Sequence, residues 1–118
     1  MALTLTMADL ADITPYEGEL IDATWTDTER DEVGLQSQAY LCILLKYDAV
    51  TNWETMNAIY KILLTEYVAR SVAMAGIMFN MLPFSRPVAQ DMINVHAWRL
   101  MIIEEILNKS DTQDFMGV

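Results

Sequence analysis

SVAMAGIMFNMLPF, residues 71–84, runs fourteen positions without a charge and closes on Pro83 and Phe84. Arg70 and Arg86 bracket it and leave only fifteen residues between them, short of the roughly eighteen apolar residues of a membrane span. On length, the stretch reads as part of a protein helix, and no membrane span is expected. Val68, Val72, Ala73, Met74, Ala75, Ile77, Met78, Phe79, Met81 and Leu82 point all round the helical wheel. That distribution belongs to a helix with other protein on most of its sides. Ala69, Ser71, Ala73, Ala75 and Gly76 are small enough to let a second helix come close. Pro83 ends the run.

Upstream lies VTNWETMNAIYKILLTEY, residues 50–67, where Thr51 and Glu54 have capping-box spacing. The predicted helix therefore covers residues 52–82. In its first half Trp53, Met56, Ile59, Tyr60, Leu63 and Tyr67 share one face, opposite Glu54, Asn57, Lys61 and Thr65. Thr26 and Glu29 repeat the capping-box spacing and predict an earlier helix over 29–48. Its apolar face holds Val33, Tyr40, Ile43, Leu44 and Tyr47, widened by Leu41 and Leu45. The short connection between these two helices makes them antiparallel neighbours. Ser85 with Pro87 in the first turn predicts a last helix over 86–108. Val88, Met92, Val95, Ile102, Ile103 and Ile106 mark its inner face, with Arg99 in the middle and His96 beside it. Both are expected to be buried charges, and a buried guanidinium must be paired.

The N-terminal stretch follows other rules. In ALTLTM, residues 2–7, Leu3, Leu5 and Met7 alternate with Thr4 and Thr6, the period of a short half-buried strand. A competing reading caps a short helix with Thr6, places Asp9 in its first turn and ends it at Ile13. Pro15 and Gly18 then interrupt regular structure. The expected class is all-α: a three-helix, bundle-like body over 28–118 behind an irregular acidic arm over 1–27, with room for one short strand.

Net charge is −10, and residues 1–32 account for −8 of it through nine acids and one base. Such an arm admits three readings: a solvated face, a strand added to a neighbouring subunit, or carboxylates imitating a phosphate backbone. Direct nucleic-acid binding is not expected at this charge.

Catalytic and metal signatures are sparse. With one histidine and one cysteine, Cys42, the chain has no internal disulfide and no cysteine-cluster zinc site. It has no Gly-rich phosphate loop and no paired-histidine metal motif. Glu104 and Glu105 are adjacent, hence about 100° apart on a helix. Ile93 stands where a Glu-x-x-His di-iron motif ending at His96 needs an acid. His96 with Arg99 could hold an anion, but pairing of Arg99 with a core acid is the favoured reading. No enzyme activity, cofactor or metal is expected.

The hydrophobic fraction is 53%, against about 45–50% for typical domains. A helix apolar on every side, in a body of three helices, has surface left over for another chain. The expected partner-binding residues are Leu3, Leu5 and Met7 of the arm, with Met74, Met78, Met81 and Phe84. The expected function is a non-enzymatic structural or interaction subunit that assembles with copies of itself or with another protein. The alternative is an acidic inhibitor that mimics nucleic acid. An acidic leader on a Met-rich helical body resembles, in general character, small phage-encoded proteins such as virion connectors and capsid-associated subunits. Met1, Ala2, Leu3 and Thr4 lack signal-peptide features, so an intracellular or virion setting is expected.

Overall fold

A computed structural model describes residues 3–109. Four helices appear in chain order: α1 (Leu10–Glu17), α2 (Asp27–Leu45), α3 (Ala58–Phe79) and α4 (Arg86–Leu107). No strand forms among the described residues, and the class is all-α. The polar tail that carries Phe115 and Met116 lies outside the described residues.

α3 is the axis of the molecule, and α1, α2 and α4 each pack against it. Leu64, Val68, Ala69, Val72, Ala73 and Ile77 are completely buried along it. By length and composition Ala58–Phe79 is also long and apolar enough to cross a membrane. Arg70, which bounds the fifteen-residue uncharged stretch, lies in the middle of this helix. Three helices alone would leave one side of α3 open, and the N-terminal arm supplies the missing cover. Ile13 of α1 is fully buried there, together with Met7 and Trp25.

The arm therefore folds onto its own body. Leu3, Leu5 and Met7 were expected to engage a partner; Met7 instead belongs to the main core, and Leu3 and Leu5 pack against it. The strand reading fails because side chains take over the backbone groups that a neighbouring strand would have used. Thr6 and Met7 both donate their N–H to Gln38 Oε1 at 2.7 Å. Thr65 Oγ1 donates to the Met7 carbonyl at 2.7 Å. Leu5 fits because Gly34 has no side chain, and a Cβ there would collide with Leu5 Cδ1.

Helix boundaries follow from caps. Asp9, and not Thr6, caps α1: Asp12 N–H donates to Asp9 Oδ1 at 3.0 Å, and Asp9 N–H returns a bond to Asp12 Oδ2 at 2.9 Å. α1 then runs through Pro15 and stops at Gly18, whose φ of 81° suits glycine. Proline is tolerated because it and Ala11, whose carbonyl it leaves unbonded, both face solvent. α2 starts from Thr26 as its spacing predicts, with Thr26 N–H donating to Glu29 Oε2 at 3.1 Å. It ends at Leu45, short of residue 48, where Lys46 turns left-handed at φ 53°.

The Thr51–Glu54 box does not form. Asp48 takes the Thr51 N–H at 3.0 Å and its hydroxyl at 2.7 Å, and Trp53–Thr55 make a short 3₁₀ turn. Asn57 caps α3 instead, with Oδ1 accepting from Ile59 N–H at 2.8 Å.

Two helix faces are rotated from those predicted. α2 buries Gly34, Ser37, Gln38, Leu41 and Leu45, while Tyr40 and Ile43 are exposed. α4 buries Ala89, His96, Leu100, Ile103 and Leu107, and turns Val88 and Val95 outward. A small second cluster joins Ile77, Phe84 and Ala89, with Met81 and Met92 packed against it.

Candidate functional site

Two polar knots and one apolar corner stand out. At the first knot, Arg99 of α4 and Arg70 of α3 converge on Glu66. Glu66 Oε2 accepts from Arg99 Nε at 2.6 Å and from Arg70 Nε at 2.8 Å, and Oε1 accepts from Arg99 Nη2 at 3.1 Å. Glu66 is thus the acid that the sequence reading required for Arg99. The arginine is not buried, however: its side chain is 34% exposed. Arg99 lies on the flank of the true inner face, because Val88 and Val95, which placed it centrally, look outward.

His96 is buried as predicted. Its Nε2 lies 3.1 Å from the Tyr16 carbonyl, which can only accept, so Nε2 carries the proton. Nδ1 then accepts from Arg70 Nη1 at 3.1 Å. The Arg70 guanidinium also sits 4.5 Å from the centre of the Tyr16 ring. Helices α1, α3 and α4 are therefore locked at one point. The Glu66 carboxylate and both His96 nitrogens are spent on partners within the chain, and no anion is needed to complete the knot.

Acidification is expected to weaken this knot in two steps. Burial, followed by the Arg70 charge, holds His96 below the ordinary value of 6.5 despite the opposing Tyr16 carbonyl. The unfolded chain then takes up the proton first, so the His96 contribution is complete above pH 6.5 and falls as pH drops below it. Hydrogen bonds from Arg99, and secondarily Arg70, hold Glu66 below 4.5 against the effect of burial, so its contribution is lost on going below that value. Urea titrations at about pH 7, 5.5 and 3.5 read both steps. His96→Gln, which can donate to Tyr16 and accept from Arg70, is expected to remove the first step and keep the second.

The second knot lies inside the acidic arm. Glu17 accepts from Trp25 Nε1 at 2.8 Å and from Arg30 Nε and Nη2 at 2.8 and 2.9 Å. Most other acids of the arm also have local tasks. Asp9 and Asp12 cap α1, Asp31 holds Thr4, and Asp22 accepts from Thr24 and Asn80. Asp27 accepts from Arg30, and Glu29 from Thr26.

The apolar corner is where α3 hands over to α4. Leu82 is 89% exposed, Met78 58% and Phe79 50%, with Val88 close behind in the chain. Of the four predicted contact residues here, Met78 faces out, whereas Met74 packs against the main core. Met81 and Phe84 are occupied in the small second cluster. Phe84 in particular is buried, because the turn after Asn80 folds it back under α4. Sequence reasoning did not single out Phe79 and Leu82; their place beside the helix-ending Pro83 was the available signal. The arm residues and this corner do not come together in one surface.

No known protein family, curated protein or solved structure matches the chain.

Proposed function

We propose that the chain is a non-enzymatic structural subunit that assembles with copies of itself through the α3–α4 corner. The observation that carries this reading is the exposure of Met78, Phe79 and Leu82 within five residues of chain at the end of α3. Apolar surface gains about 25 cal/mol per Å² when removed from water, so such a corner favours association. Charge supports a second copy as the occupant. Residues 71–90 contain no acid in a chain of net charge −10, and the one carboxylate that reaches them by a described bond, Asp22, is held there by Asn80 and by Thr24. Assembly of this kind suits a virion connector or capsid-associated subunit.

The test is native mass by light scattering. Wild type is expected to run as an oligomer whose mass is maintained or raised by salt, since apolar contacts strengthen as charge is screened. Leu82→Glu with Met78→Glu is expected to give a monomer of unchanged helix content. A wild-type chain that is monomeric at high concentration overturns the proposal. An acidic mimic of nucleic acid would instead bind a basic partner and release it at moderate ionic strength.

A further inference from the structure

Helices α2, α3 and α4 meet around a shallow, solvent-open pocket of about 430 Å³, lined by Gln36, Ser37, Tyr40, Tyr67, Ser71 and Glu104. The rings of Tyr40 and Tyr67 lie nearly parallel, at 10°, with centroids 6.2 Å apart. The pocket's protons are largely committed inward. Tyr67 Oη donates to Glu104 Oε1 at 2.6 Å, and Ser71 Oγ donates to the Tyr67 carbonyl at 2.8 Å. What those groups still offer a visitor is lone pairs. Glu104 is an acceptor too, and it forms no salt bridge among the described residues.

Ser37 supplies an independent sign. It is only 9% exposed, and its Oγ has no hydrogen-bond partner among the described groups. Buried hydroxyls nearly always have one. An anion brought here would meet Glu104 and a set of acceptors, whereas a donor-rich cation would satisfy them. Aromatic faces beside a carboxylate are also the surroundings that organic cations prefer. Net charge of −10 raises the local concentration of cations.

We propose that this pocket binds an organic cation, an amine or a guanidinium, which donates to Glu104 and Ser37 while resting against Tyr40 and Tyr67. Two sources share that chemistry: a free polyamine, and a lysine or arginine side chain of a partner protein. The site lies apart from the α3–α4 corner and stands whether or not the chain assembles there.

The experiment titrates the isotope-labelled full chain by NMR, with spermidine in one arm and N-acetyl-arginine amide in the other. Saturable shifts centred on Ser37, Tyr40 and Tyr67 are expected. Glu104→Gln is expected to weaken binding by about tenfold or more, and Ser37→Ala by less, with helix content retained. Saturation by spermidine alone assigns a free polyamine; saturation by the arginine amide assigns a partner's side chain. Absence of saturable shifts up to about 10 mM in both arms overturns the proposal. So do shifts spread over the acidic arm, or binding unchanged in both variants.

Discussion

Arg30→Met is expected to destabilise the fold by about 3–5 kcal/mol, because it leaves a carboxylate buried without its countercharge. Glu17 is 1% exposed at its side chain and Arg30 12%, so water cannot replace the lost partner. Two of the three hydrogen bonds that Glu17 receives come from Arg30, and only Trp25 Nε1 would remain. Equilibrium urea unfolding at neutral pH measures the loss. Glu17→Gln combined with Arg30→Met is expected to recover most of it, since a neutral amide still accepts from Trp25 and no longer needs a cation. A single Arg30→Met variant as stable as wild type would show that the carboxylate finds solvent in solution.

Gly76→Ala is expected to reverse the usual sign of a glycine-to-alanine change. In a helix interior alanine is ordinarily better by about 0.5–1 kcal/mol. Here the new Cβ would stand 2.5 Å from Trp25 Nε1 and 2.8 Å from Cε2. The indole has little freedom to yield, because its N–H is held by Glu17 and Phe79 lies 5.5 Å away on ring centroids. Overpacking of this kind costs about 1–3 kcal/mol and exceeds the gain in propensity. Thermal unfolding should show a lowered midpoint for Gly76→Ala, relieved when Trp25→Leu is added. A raised midpoint in the single variant would mean that the arm is not seated on α3 at Gly76.

The class and the existence of three long helices were legible because caps and apolar periodicity are local signals. Thr26 with Glu29 is one such signal, and Pro83 is another. The faces were harder to read. Counting apolar residues alone rotated α2 and α4, because the polar residues Ser37, Gln38 and His96 occupy buried positions. Gln38 faces inward to hold the backbone of Thr6 and Met7, a need that no pattern within α2 discloses. α1 was obscured by Pro15, which breaks helices in general but costs little where it and Ala11 face solvent. The charge pairs divide in the same way. Glu66 and Arg70 stand at i and i+4 and can be read directly. Glu17 with Arg30, and Glu66 with Arg99, join separate helices and have no spacing rule. The Ser37–Tyr67–Glu104 pocket combines three helices and was invisible for that reason.

The bond from Thr65 to Met7 spans 58 positions of chain. During synthesis the Met7 segment has no Thr65 to dock on until that many residues have followed, about 3–12 s at translation rates of about 5–20 residues per second. For that interval Met7 and Ile13 are bare, and the nascent chain presents them to whatever holdase is at hand. Order of manufacture is thus opposed to order of assembly: the arm is made before α3 and can be seated only after it.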